Sequence, residues 1–442
     1  MSLRSILMVL VFAVLSIALL VAPSYLQESE GQAIWPVIAV VDLLFMVWLL
    51  GQYKDAGPVI LVLIFTFSYY LAPLPYFLFT IPIVPYSDNI GYEPFLKTWC
   101  IMSAFLAFMC LFSCLSSSRR PDGTIALGDA MNVSKRYFGG LTYCYWIGVY
   151  IYMAATFKGH AIVNDTGLDN YDSYMANLTT QSGALEYFLI LVVLGFEMSR
   201  TRLQWLCYVT AAGYYLYFSF TRGYRVQMLE MILLLSGLHF ARHLTVKKCF
   251  AFSIVGFCLL QAHGMMKHGG GDLGSLFGVM AGDEMRSNQT EVFYTSNNVL
   301  NAVLDGHIPA TERLASFGIA TLACVLPGSV LPDNWQSTIS AQSVTHLPGG
   351  GGGFIAGHYY YWLSYIGVAL AGYLVVLLFR TYQCTANRGM FLLSLLLLAS
   401  CPRWVAYEPL AMFFRLGLYF LILHSAVNLF EVRLLPFSRA TS

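Results

Sequence analysis

The chain has 442 residues, a formal net charge of +1, 58% hydrophobic residues and 11% charged ones. So apolar a composition over such a length excludes an ordinary soluble domain and points to a polytopic helical membrane protein. The ten cysteines lie almost wholly in or beside apolar segments, with no CxxC pair and no loop framework. They are read as packing residues that say nothing about redox compartment.

In chain order, hydropathy places twelve spans at roughly 5–24, 34–50, 57–78, 98–115, 137–157, 183–198, 203–220, 224–241, 249–265, 355–379, 389–401 and 407–428. Most are long enough for a hydrocarbon core of about 30 Å at 1.5 Å per residue. The shortest, 389–401, needs extension past a break near Pro402. The first span has only Arg4 before it and no convincing small-x-small cleavage site, so it is expected to be retained rather than removed as a signal peptide.

With a cytoplasmic N-terminus, 15 of the 24 basic residues fall in inner loops: Arg4, Lys54, Arg119, Arg120, Lys135, Arg136, Arg200, Arg202, Arg242, Lys247, Lys248, Arg380, Arg388, Arg433 and Arg439. The positive-inside rule then puts both termini in the cytoplasm. The other basic residues, Lys97, Lys158, Arg222, Arg225, Lys267, Arg286, Arg313, Arg403 and Arg415, fall in outer loops or at the outer ends of spans, and most of them lie in the second half. The expected organisation is one integral membrane domain over 1–442 with a large outer loop at 266–354.

A loop of that length usually has a function. It opens on a glycine-rich stretch around Gly269 to Gly271, and from Glu284 to Leu304 the apolar residues Val292, Phe293, Leu300 and Leu304 recur with Asn297 at nearly helical spacing. An apolar stretch over Leu314–Leu331, able to dip into the outer leaflet, ends in the Pro327-Gly328 and Pro332-Asp333 turns. Gly349 to Gly353 close the loop, either as a hinge or as backbone that comes close to a ligand. No internal repeat is evident, which argues against a repeat-built transporter.

Several residues could carry chemistry. Arg222 and Arg225 occupy a very short outer turn, Thr221-Arg222-Gly223-Tyr224-Arg225. They either snorkel to lipid phosphate or hold a phosphate ligand through the planar fork that arginine alone provides. Arg403 and Arg415 flank the final outer hairpin, and Arg415 lies in a helix where a charge costs at least about 2.5 kcal/mol unless the site is wet or paired. Glu408, two turns before Arg415, is a structural partner for Arg415 or Arg403. His358 opens the tenth span in Gly357-His358-Tyr359-Tyr360-Tyr361-Trp362, where it can orient or deprotonate a hydroxyl. The neighbouring Tyr360 and Tyr361 either bind substrate or belong to an interfacial aromatic belt. No HExxH or Cys/His spacing supports a metal, no cofactor is expected, and no Walker, GxSxG or DxD sequence equips the chain for a soluble nucleotide donor.

The order of these segments resembles the O-antigen polymerase (Wzy-type) family of bacterial envelope glycan synthesis, including its enterobacterial common antigen branch. Over roughly residues 205–425 the resemblance rests on Thr221-Arg222-Gly223, on Arg286 followed by Asn297 to Gly306, and on Val325-Leu326-Pro327-Gly328-Ser329-Val330-Leu331-Pro332. It continues in Gly353-Phe354-Ile355-Ala356-Gly357 before Tyr365-Ile366-Gly367, and in Arg403 with Arg415. It implies an all-α GT-C type B-like membrane glycosyltransferase, inverting and metal-independent, that joins repeat units carried on undecaprenyl diphosphate. The site would lie at the periplasmic face of the bacterial inner membrane. The resemblance implies His358, Arg286 and Glu408 in catalysis and Arg222, Arg225, Arg313, Arg403, Arg415, Tyr360 and Tyr361 at the diphosphate and glycan. The implied partners are the lipid-linked glycan, the membrane, a chain-length regulator and a flippase, with no nucleic acid. An exterior His before a late span also fits the related O-antigen ligases, which transfer finished glycan to lipid A core. A lipid-linked glycan flippase or exporter is the third reading.

Overall fold

A computed structural model describes residues 3–25, 31–79, 92–117, 140–157, 185–221, 224–267, 288–326, 352–385, 387–407 and 410–438, and all of the regular structure among them is helical. The helices are α1 Leu3–Val21, α2 Gly31–Gln52, α3 Gly57–Ser68, α4 Leu74–Phe79, α5 Tyr92–Ser117, α6 Leu141–Thr156, α7 over 185–198, α8 Arg202–Thr221, α9 Arg225–Phe240 and α10 Val246–Lys267. Two helices of the long loop follow, α11 Asn288–Leu304 and α12 Ala310–Ala323, and then α13 Ile355–Cys384, α14 Arg388–Ala399, α15 Cys401–Ala406 and α16 Ala411–Ser438.

The side-chain distribution is that of a membrane protein. On α1, Leu7, Leu10, Val14 and Ile17 are all exposed, and on α2 so are Val37, Val40, Leu44 and Val47. Their three- and four-residue spacing makes an apolar stripe that points outward, where a soluble helix would carry charge. The polar groups go inward instead: Asp42 on α2 is buried and accepts from Trp99 Nε1 at 2.7 Å and Ser103 Oγ at 2.9 Å on α5. Three segments, Ile34–Gln52, Glu93–Ser116 and Ile355–Cys384, are long and apolar enough to cross a membrane, and Ser5–Val21, Gly57–Ser68, Arg388–Ala399 and Phe413–Leu429 are shorter apolar helices. α5 is the axis of the bundle, against which α1, α2 and α13 pack.

Three expected spans have different forms. The stretch 57–78 is two helices, because Pro73 disfavours helical backbone at the residue before it and α4 begins only after it. The stretch 389–401 stops at Ala399, and Pro402 in the first turn of α15 restarts the chain as a separate short helix. The tenth span runs on to Cys384 but breaks at Ser364, whose φ of 52° and ψ of −139° interrupt the helix. Gly367 makes that break possible, since a Cβ there would lie 1.9 Å from the Tyr359 carbonyl oxygen.

In the long loop, the stretch expected to be helical over 284–304 is helical from Asn288, and Val292, Phe293, Asn297 and Leu300 turn inward. The apolar stretch over 314–331 instead begins as a helix at Ala310 and ends at Ala323. α11 packs on α5 and α13, while α12 packs on α13 and α16. These two helices of the loop are therefore folded against α5, α13 and α16.

Candidate functional site

The start of α7 is where Arg403 and Arg415 come together. Glu186 there is buried, and its Oε1 accepts from Nε of Arg403, whose side chain on α15 is 13% exposed and whose guanidinium also lies 5.5 Å from the centre of the Tyr407 ring. The next residue, Tyr187, faces Arg415 of α16 and places its ring 5.1 Å from that of Tyr419. Two consecutive residues of α7 thus bring together the arginines from both sides of the 403–415 hairpin.

Arg415 has a different kind of partner. Its Nε donates to the Ala323 carbonyl at 2.9 Å, its Nη2 contacts the same oxygen, and the Leu326 carbonyl is 3.5 Å from Nη2. These are carbonyls at and just beyond the C-terminus of α12, which the helix itself leaves unsatisfied and where a cation is favoured by the helix dipole. The arrangement seats the charge without cancelling it. Arg313, on the first turns of the same helix, donates from Nη1 to Ser364 Oγ at 3.1 Å and to the Tyr361 carbonyl at 3.5 Å. Ten residues of helix separate Arg313 from Ala323, about 15 Å at 1.5 Å per residue, so Arg313 and the seat of Arg415 lie at opposite ends of α12.

His358 is buried in the first turn of α13. Its Nε2 accepts from the backbone N–H of Gly353 at 3.3 Å, which places the ring proton on Nδ1. Phe354 N–H donates to Ser296 Oγ at 2.7 Å, and the Phe354 ring packs among Tyr69, Tyr70 and Phe105. The end of the glycine run comes close to the chain itself: a Cβ on Gly352 would lie 2.3 Å from the Ala406 carbonyl of α15. Loop end, His358 and the arginine hairpin are in this way one packed unit.

Of the other expected site residues, Tyr360 and Tyr361 are buried in α13, with the Tyr360 ring 5.5 Å from Tyr365. Arg225 is half-buried at the first residue of α9. A cation at a helix N-terminus is on the unfavourable side of the dipole, so helix stability does not account for it. Arg222, Arg286 and Glu408, the turn at Pro327-Gly328 and Gly349 to Gly351 lie outside the described residues. Among the described residues, no three His, Cys, Asp or Glu side chains gather as a metal-binding set.

Sequence reasoning missed the carboxylates. Glu186, Glu197 and Glu230 all sit inside apolar runs and are all buried, as is Asp42. An ionisable residue inside a span is costly and marks a site by default. Scanning the spans for acids as well as for arginines would have found all four. No family model matches the chain, and neither any curated protein nor any solved structure matches it.

Proposed function

We propose that this chain is a twelve-span glycosyltransferase of the GT-C type B class. It would polymerise undecaprenyl-diphosphate-linked oligosaccharide repeat units, of O-antigen, enterobacterial common antigen or capsule type, at the periplasmic face of the bacterial inner membrane. The observation that carries this reading is the meeting of Arg403 and Arg415 at adjacent residues of α7, with Arg415 held, among the described residues, by neutral carbonyls rather than by a carboxylate. A leaving diphosphate accumulates negative charge, and fixed guanidiniums in a partly dry site stabilise it without reorganising.

In this reading Arg415 is the principal clamp on the diphosphate, and Arg403 joins it by exchanging Glu186 for the ligand. Arg222, Arg225 and Arg286 supply further charge from the neighbouring turns. Arg313, Tyr360 and Tyr361 contact the glycan. His358 or Glu408 positions the acceptor hydroxyl at the non-reducing end of the incoming unit and takes its proton as the bond to the growing chain forms. For His358 that role needs Nε2 to give up the Gly353 N–H, a small backbone movement at the end of the loop.

The test is to incubate the purified protein with a lipid-linked repeat unit. A ladder of lengthening products is expected. Transfer only to lipid A core would replace the reading with a ligase, and an unaltered substrate that crosses vesicle membranes would replace it with a transporter.

A further inference from the structure

Among the described residues, the carboxylates buried among the spans divide into those with partners and one without. Glu186 contacts Arg403, Glu197 serves Arg388 and His424, and Asp42 accepts from Trp99 and Ser103. Glu230, near the start of α9, is 0% exposed, and neither of its carboxyl oxygens has a hydrogen-bond partner. The groups that face it are Glu186 on α7, Arg403 and Cys401 on α15, and Tyr215 on α8. Tyr215 gives its hydroxyl proton to the Leu185 carbonyl, not to Glu230.

Among the described residues, the other elements packed against α9 bring no counter-charge. α3 has no ionisable side chain, and Arg388 of α14 is on Glu197. Lys247 and Lys248 of α10 are exposed, as are Arg242 and His243 in the turn after α9, while Cys249 is engaged with the Gly57 carbonyl.

An ionised carboxylate enclosed without a donor costs several kcal/mol, and a second carboxylate beside it raises that cost; a bound proton removes both penalties. We propose that Glu230 is a proton-binding site: it is the carboxylic acid beside an ionised Glu186–Arg403 pair, and the proton and the guanidinium exchange between the two carboxylates. In one arrangement Arg403 serves Glu186 and Glu230 holds the proton. In the other the proton has moved to Glu186 and Arg403 serves Glu230. Because α7, α9 and α15 each contribute one member, the exchange moves Arg403 relative to the α7 residues that also face Arg415. Protonation thereby sets where the mobile guanidinium of the site points. The proton site stands whether or not the chain joins glycan units, since it needs no substrate.

The test is infrared difference spectroscopy on the purified full-length protein in detergent near neutral pH, with no ligand added. Against the wild-type spectrum, Glu230→Gln should remove one carbonyl stretch of a protonated carboxylic acid, identified by its shift in heavy water, while the contribution of any other buried acid, such as Asp42, cancels in the difference. Glu186→Gln should remove the same band, because Arg403 then passes to Glu230 and ionises it. A difference spectrum in which Glu230→Gln loses no such band overturns the site, and one in which Glu186→Gln loses none overturns the exchange. Glu230→Gln replaces a neutral acid by a neutral amide of the same shape, so it should fold with the thermal stability of wild type; failure to fold would mean that Glu230 is ionised in the native protein. Should Glu186→Gln aggregate, Arg403→Gln gives the second measurement: loss of the cation must add a second acid band, from Glu186, and no gain refutes the proposal.

Discussion

α7 has a carboxylate at each end, and the two ends use charge in opposite ways. Glu186 and Glu197 are eleven residues apart, about 17 Å along the helix. At the Glu197 end, Arg388 Nε lies 3.4 Å from Oε1 and His424 Nε2 lies 3.3 Å from Oε2, and Asn428 Nδ2 is 3.2 Å from His424 Nδ1. The Arg388 guanidinium of α14 and the His424 ring of α16 converge there on one acid, which ties three helices together. At the Glu186 end, Arg403 meets an acid, but Arg415 and Arg313 rest on carbonyl and hydroxyl oxygens. A guanidinium paired with a carboxylate has little field left for a ligand, whereas one seated on neutral oxygens keeps its charge. The first arrangement is suited to fastening helices and the second to receiving an anion. Arg380 qualifies the contrast: its Nη2 donates to the Ser113 carbonyl at 3.0 Å in the last turns of α5, so a carbonyl seat can also serve purely as a fastening between α13 and α5.

The largest effect should come from setting the two ends against each other by substitution. In cells lacking the native gene and at matched membrane levels, Arg415→Ala is expected to lower polymer formation about a hundredfold, the scale of losing one preorganised donor to a developing anion. Arg415→Lys should recover little, because an ammonium lacks the planar fork. Arg388→Gln at the other end should leave the ladder near wild type. Equal loss in both would collapse the contrast between a ligand end and a fastening end.

Stability should respond the other way. Glu197→Gln leaves Arg388 and His424 without their shared acid and is expected to cost about 3 kcal/mol or more, read as a lower midpoint in thermal unfolding in detergent. Arg415→Ala loses hydrogen bonds to carbonyls at the C-terminus of α12 and should cost about half that. If Arg415→Ala is the more destabilising of the two, Arg415 is a fastening like Arg380 and the anion site must be sought elsewhere.

A smaller effect should come from Gly352→Ala. The added methyl meets the Ala406 carbonyl and has to push loop and hairpin apart, at a cost of about 1–3 kcal/mol. Ladder length should fall more than the thermal midpoint, because the displaced element carries Arg403. A ladder unchanged at reduced stability would separate the loop end from the site.

The smallest perturbation tests sidedness alone. Cys384 is exposed at the end of α13, at the opposite end of that helix from His358. A membrane-impermeant thiol reagent should label it only from the cytoplasmic side, while tags in 266–354 should be reached only from the periplasm. Labelling of both from one side would place the two ends of the bundle in the same compartment.

Much of the fold was legible because the membrane signal is local. The apolar runs, their approximate limits and the turn prolines are written in consecutive residues, and α11 showed in the spacing of Val292, Phe293, Asn297 and Leu300. The kink at Ser364 was not legible, because a serine with positive φ arises from the contacts at Arg313 and the space at Gly367 rather than from any local preference. The glycines at 349–353 admitted a hinge or a ligand contact; for Gly352 the actual neighbour is the chain's own α15, more than fifty residues away in sequence.

What the sequence by itself determined is the class: all-helical, apolar on its outer surface, with basic residues concentrated near the ends of the later spans. These follow from composition and from patterns no longer than one helix. What only the tertiary structure decided is pairing. That Arg403 meets Glu186, that Arg415 is seated on the carbonyls of Ala323 and Leu326, and that Glu230 is left without a hydrogen-bond partner near Glu186 all depend on which helices adjoin. The cost of burying a charge is large and fixed by its surroundings, so a residue's chemistry inside a membrane bundle is set by neighbours that no linear reading places beside it.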